Sequence, residues 1–161
     1  MVTMNETIRE LDQLVEKYHR RFLDEQESAL SARSQPGKWS KKEVIGHLTD
    51  SAHNNLRRFI CGQYDEPVNP IAYDPDWWVK ANDYQNLQTT YIIDLWCFMN
   101  RQICRVLSAM PTEAYGRLCN TGGSQAELHD LEWIAADYVR HMKHHLNQIF
   151  PGEFDVTYIS K

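Results

Sequence analysis

The sequence predicts an all-α fold, a four-helix bundle with a long crossover between its second and third helices. Three observations lead there. Four segments repeat apolar residues at spacings of three and four, the period of a helix with one buried face. A capping box at Ser40-Lys41-Lys42-Glu43 marks one helix start sharply. A connection holding Pro67, Pro70 and Pro75 separates the second segment from the third. A link of about twenty residues inside a compact domain is explained if it runs the length of a bundle.

The first helix is expected from about Asn5 to Leu30, with Ile8, Leu11, Val15, Tyr18 and Phe22 on one face. Gln35-Pro36-Gly37 breaks the chain. The second helix opens at the Ser40 cap, where the hydroxyl accepts from the Glu43 amide and the Glu43 carboxylate reaches back. Trp39 precedes the cap and can staple the entry to the body. Val44, Leu48, Ala52 and Phe59 mark its buried stripe, and it ends near Gly62. The crossover covers Gln63 to about Asp83, with Trp77 and Trp78 as its anchors.

The third helix, about Leu87 to Met110, is the most apolar. Ile92, Leu95, Trp96, Met99, Ile103, Val106 and Leu107 form its core face, and Pro111 ends it. Residues 111–127 read as irregular, with a turn at Gly122-Gly123. The fourth helix runs from about Asp130 to Phe150 and stops at Pro151-Gly152. In the tail, Phe154, Val156, Tyr158 and Ile159 alternate as a strand would. No partner strand is evident, so packing on the bundle or on a second subunit is the expectation.

The 161 residues suit a single domain spanning 1–161. The net charge is −5 and no basic stripe exists, which argues against nucleic acid as a partner. No apolar run of about 18 residues is present, so no membrane span is expected. The N-terminus MVTMNETIRELDQ carries charges where a signal peptide needs apolar residues. A cytoplasmic location is the resulting expectation. Cys61, Cys97, Cys104 and Cys119 form no CxxC pair and read as free thiols in a reducing compartment.

Seven histidines are the chemical signal, three of them within five residues of the fourth helix. Residues four apart on a helix differ by about 40° in direction and about 6 Å along the axis. His141 and His145 therefore project together and can share one ion, as imidazole pairs on helices do. With His141 at zero, His145 falls at about 40°, among Ile134, Tyr138, Leu131, Ile149 and Met142 at roughly 20–100°. His144 falls at about −60°, toward the polar side, in water or hydrogen-bonding near the site. A metal needs a further ligand, and His47, beside the Val44/Leu48 stripe two turns after a firm cap, is the best placed. His53 turns away from that stripe, His19 sits beside Arg20 and Arg21, and His129 lies at a helix start. Many helices carry two surface histidines four apart, so spacing alone is weak. Burial of two unpartnered imidazoles on one core face strengthens it.

Two stretches carry a family resemblance. Pro36-Gly37-Lys38-Trp39-Ser40-Lys41-Lys42-Glu43-Val44-Ile45-Gly46-His47-Leu48-Thr49-Asp50-Ser51 resembles the first signature of the DinB-like superfamily. Asp137-Tyr138-Val139-Arg140-His141-Met142-Lys143-His144-His145-Leu146-Asn147-Gln148-Ile149 is similar to the second. The resemblance implies a four-helix bundle with a long connection between helices two and three. It implies a histidine triad on His47, His141 and His145 holding a divalent ion, zinc or nickel foremost. It also implies a homodimer and a small-molecule substrate. Some members are enzymes that use bacillithiol, mycothiol or glutathione, and others are described only as metal-dependent hydrolases.

The expected reaction is transfer of a low-molecular-weight thiol, as co-substrate, to an electrophile. An ion on neutral imidazoles keeps its positive charge and favours the thiolate, the attacking form. Asp50 and Asp137 could orient an imidazole from behind, although a solvated carboxylate is the plainer reading of each. Hydrolysis at the same site needs a general base. Glu43 is the candidate, but the capping box already occupies it. A non-catalytic metal-stabilised module is the third reading, and it would show a closed fourth coordination position.

Overall fold

A computed structural model of the chain describes residues 2–64, 73–122 and 126–158. Its helices are α1 (Met4–Asp24), α2 (Glu27–Ser31), α3 (Lys41–Cys61), α4 (Pro75–Asn82), α5 (Thr89–Ala109) and α6 (Leu131–Ile149). A hairpin of β1 (Leu118–Asn120) and β2 (Leu128–Asp130) pairs antiparallel, with Cys119 opposite His129. The four long helices, α1, α3, α5 and α6, make the bundle. Pro67, Pro70, Gly123 and Ile159 lie outside the described residues.

Helices α3 and α1 each pack against both α5 and α6, so α1 and α3 are diagonal. The directions follow from contacts between helix ends. Ser40, which caps α3, donates its hydroxyl to Gln85 at 2.7 Å, just before α5 begins. The chain leaving Cys61 has therefore returned the length of α3, and α3 and α5 run parallel. This is the expected crossover. Helix α1 runs antiparallel to α5: near the end of the one and the start of the other, the Phe22 and Trp96 rings meet edge to face at 5.2 Å. It runs parallel to α6, because the Met4 amide donates to Glu132 at 2.8 Å and Glu10 pairs with Lys143.

Apolar residues from all four helices fill the centre. Tyr18, Phe22, Ile45, Leu48, Phe59, Ile92, Trp96 and Ile103 are fully buried there. The expected Ser40 cap forms, and two more on the long helices were not anticipated. The Ser40–Glu43 box is complete, and Thr3 with Glu6 builds a second box that starts α1 at Met4. At the fourth helix, the Asp130 side chain accepts from the Trp133 amide.

Several local expectations are corrected. The first helix does not continue to Leu30. Glu25 and Gln26 are extended, and α2 restarts in a new direction that buries Leu30 and brings Glu27 onto Lys42 at 3.0 Å. The crossover contains α4, where Pro75 opens the helix at its first turn under an Asp74 cap. Trp77 is 64% exposed, whereas Trp78 is half-buried with its ring 6.1 Å from that of His53 on α3, and Val79 and Tyr84 are buried. His129 belongs to β2 rather than to a helix start. The tail forms no strand through Tyr158. It packs back on α6, where Asn147 and Phe154 exchange two hydrogen bonds at 2.8 and 2.9 Å.

Closure of the crossover against α3 needs a residue without a side chain at position 46. A Cβ on Gly46 would sit 2.2 Å from the Tyr84 ring, well inside contact distance. The Gly46→Ala variant should lose about 1–3 kcal/mol, as overpacked cores do. It should unfold at lower urea concentration with an unchanged slope. An unchanged midpoint would show that Tyr84 can move aside at no cost.

Candidate metal centre

Helices α3 and α6 run antiparallel and meet face to face near the Ser40 end of α3. There His47 projects from the second turn of α3, opposite His141 and His145 on α6. The three Nε2 atoms converge, at 3.4 Å between His47 and His141, 3.1 Å between His47 and His145, and 3.0 Å between His141 and His145. His47 is 3% exposed and His145 9%, with His141 half-buried at the rim. Sequence reasoning put His47 at the margin of a stripe. It is in fact deep inside, because α2, α4 and the short 3₁₀ turn at Tyr84–Asn86 also pack on α3. Lys42 through Ala52 are all buried.

Two of the imidazoles are contacted from behind. Gln148 presents its Oε1 to His145 Nδ1 at 3.1 Å, and its amide nitrogen faces His144 Nε2 at 3.3 Å. Ser51 Oγ lies 3.4 Å from His141 Nδ1. The Gln148 oxygen accepts only, which makes Nδ1 of His145 the donor and leaves its Nε2 with the lone pair, while the Ser51 hydroxyl can donate or accept at His141. His47 Nδ1 is buried without a hydrogen-bond partner among the described residues. Burial, then the neighbouring His145, push His47 down to about 3. Burial pushes His145 down to about 4 despite the opposing Gln148 bond. Burial and the surrounding imidazoles hold His141 well below its usual value. At neutral pH three uncharged imidazoles therefore face one point. Adjacent nitrogens around a tetrahedral zinc-type ion, bound at 2.0–2.1 Å, are about 3.3–3.4 Å apart, so this donor set suits a divalent ion.

His47, His141 and His145 are the one group of such donors that converges among the described residues. His144 stays outside it, its ring 5.0 Å from that of His145 and 5.7 Å from Tyr158. His19 pairs with Asp94, and the ring of exposed His53 lies 6.1 Å from that of Trp78. His129 stacks on Trp133 at 3.6 Å.

The two aspartates do not orient the imidazoles. Asp50 turns away and accepts from Tyr84 at 2.6 Å and Asn82 at 3.0 Å, tying the crossover to α3. Asp137 binds Arg140 and accepts from Tyr158 at 3.2 Å. Tyr158 in turn lays its ring 5.2 Å from His141. Trp39 covers His47 from the other side, ring to ring at 4.9 Å. Glu43 is held by the cap and by Arg33 at 2.6 Å.

The triad opens into a cavity of about 880 Å³. Ser51, Asn55 and Arg58 of α3 line it together with Tyr73, Asp137 and Tyr158. Sequence reading missed Ser51, Asn55 and Arg58. They lie four, eight and eleven residues after His47, at roughly 40°, 80° and 20° from it around the helix. The same angular calculation applied to polar rather than apolar residues would have found them.

The model of the DinB superfamily matches residues 4–149. The chain belongs to the DinB superfamily. One similar protein, from Oceanobacillus iheyensis, is named "Putative metal-dependent hydrolase". It is 26% identical over 151 residues, 92% of this chain and 84% of that protein. Among solved structures the chain resembles YfiT from Bacillus subtilis, described as "a probable metal-dependent hydrolase with an unusual four-helix bundle topology". The TM-score is 0.82 at 22% identity, over 91% of this chain and 83% of that one. It also resembles a mycothiol-dependent maleylpyruvate isomerase, with a TM-score of 0.70 at 11% identity, over 89% of this chain and 59% of that one. At these identities the two structures show a shared fold.

The histidines make the metal-free DinB bundle sensitive to acid. Unfolded imidazoles bind protons near pH 6.5, whereas folded His47 and His145 do so only near 3 and 4. Between those values the unfolded state holds more protons, so stability falls as pH falls. The slope should reach about 1.4 kcal/mol per pH unit for each buried histidine. Urea unfolding of chelator-treated protein at pH 7.5 and pH 5 measures it. The His47→Gln variant should show a shallower slope, and equal slopes would refute the assignment.

Proposed function

We propose that this DinB-superfamily protein binds a divalent ion, zinc or nickel, on His47, His141 and His145. With it the protein transfers a low-molecular-weight thiol to an electrophilic small molecule. One observation carries the metal reading: among the described residues, three imidazole nitrogens and no carboxylate oxygen converge within 4.8 Å. The choice of a thiol over water is supported by the fold shared with a mycothiol-dependent isomerase, since an ion on three imidazoles could activate either. An ion on neutral imidazoles would lower the pKa of a bound thiol enough to expose thiolate at neutral pH.

The chain's own residues then bind and orient. Gln148 keeps His145 in its Nδ1–H form, and Ser51 lies against Nδ1 of His141. Trp39 and Tyr158 cover two of the rings and limit water at the rim. Asn55, Arg58 and Tyr73 give the cavity polar groups for the electrophile. In the reaction the thiol proton passes to water and the sulfur pair forms the new S–C bond. The bond from that carbon to its leaving group breaks, and the leaving group departs with the electron pair.

Hydrolysis is the second reading, favoured by the names given to the Oceanobacillus and Bacillus proteins. The nearest sequence candidate for its base, Glu43, is already engaged by the Ser40 amide and Arg33. The same reading takes the protein as one cytoplasmic domain, a homodimer, with no nucleic-acid partner.

Purified protein should hold one divalent ion per chain by elemental analysis. His141→Ala should weaken that ion by more than the roughly 10–100-fold that loss of a supporting partner costs. Unchanged ion binding in that variant would end the triad assignment. With the ion loaded, an aryl halide should be consumed only when a cellular thiol is present. Thiol-independent turnover of an ester or amide would move the assignment to hydrolysis.

A further inference from the structure

A second cavity, of about 810 Å³, is lined by Trp39 and by His145 of the triad. It shares Trp39, Asp76, His145 and Gln148 with the larger cavity, so the two chambers meet at one wall of the metal centre. Their chemistry differs. The larger chamber is lined by aromatic rings and amides with charges of both signs, among them Arg58, Asp137 and Arg140. The second is lined by the turn before α3 and carries Arg33, Lys38 and Lys41 against a single acid, exposed Asp76.

That turn is braced in place. Arg33 donates to the Lys38 carbonyl at 2.8 Å and to Glu43 at 2.6 Å, and Gly37 takes the left-handed conformation at φ 79° that reverses the chain. Arg33 is thereby engaged structurally. Lys38 and Lys41 remain the cations that can meet a ligand, and Lys38 is exposed. The volume lies within the roughly 300–1,000 Å³ of small-molecule sites.

We propose that this basic chamber binds the carboxylate-bearing end of the thiol co-substrate, while the larger chamber takes the electrophile. The proposal rests on the thiol-transfer reading for the word co-substrate. It narrows that reading to thiols that carry carboxylates, such as a γ-glutamyl tripeptide, and disfavours uncharged sugar thiols. A bisubstrate reaction needs room for two molecules at one centre, and the two adjoining chambers supply it.

The test compares wild-type protein with the Lys38→Glu/Lys41→Glu variant by calorimetry, using glutathione, S-methylglutathione and 2-mercaptoethanol. Both glutathione forms should bind at least tenfold more weakly to the variant, and wild-type binding should weaken with added salt. The neutral thiol should bind both proteins alike. A matching urea midpoint for the two proteins shows that folding is intact. Equal affinity of both proteins for the glutathione forms overturns the proposal, as does wild-type protein that binds neither form. S-Methylglutathione separates the two ideas because it keeps the carboxylates and lacks the thiol. If it binds as expected while no thiol is ever consumed, the chamber stands and the transfer reaction falls.

Discussion

Everything at the candidate metal centre depends on the register between α3 and α6. Two helices that run in opposite directions hold three imidazole nitrogens within 3.0–3.4 Å of one another. One residue on α6 corresponds to about 1.5 Å of rise and 100° of rotation, so a slip by a single position would scatter the donors. The register is fixed from both ends. At one end the Ser40 box and the Gln85 contact set where α3 begins. At the other, Gly62 allows close approach, since a Cβ there would meet Leu131 of α6 at 2.7 Å and Cys119 at 2.8 Å.

Holding this register requires burial of polar groups along α3, and each must be satisfied locally. Asn54 and Asn55 donate back to the carbonyls of Asp50 and Ser51, and Thr49 donates to that of Ile45. Asp50 is the costly member. Burial raises it to about 6 even though the Tyr84 hydroxyl donates to it. Its second oxygen has no hydrogen-bond partner among the described residues. In exchange, Asp50 fixes Tyr84 and Asn82, the residues that return the crossover to the start of α5. A buried polar group here specifies topology more than it adds stability.

The bundle was legible because its helices obey simple rules. Apolar residues at helical spacing located all four long helices, and Ser40-Glu43 and Pro151 set boundaries that the structure keeps within a few residues. The break at Glu25-Gln26 was not legible, since neither residue is a helix breaker and the break serves the packing of Leu30 and Glu27. The hairpin escaped because strands of three residues carry too little pattern. The triad was half visible. His141 and His145 followed from α6 alone, where one face is apolar and the other wet. His47 did not follow from α3 alone, because that helix is buried on several sides by connections whose docking leaves no periodic trace.

Those same connections decide what the site can do. The ligand nitrogens sit on rigid helices, as close placement demands. The walls around them come from elsewhere: the turn at Ser34–Lys38, the crossover at Tyr73–Asp76, the hairpin at Thr121 and His129, and the tail at Tyr158. Loops held on a fixed scaffold are free to change composition without disturbing the register beneath them. The helices therefore fix the three imidazoles, and the loops shape what reaches them. This division explains how fold and donor set can be read closely from the residues while the substrate is not. Three histidines must obey helical geometry, but Lys38, Tyr73 and Tyr158 become neighbours of the centre only after the chain has folded.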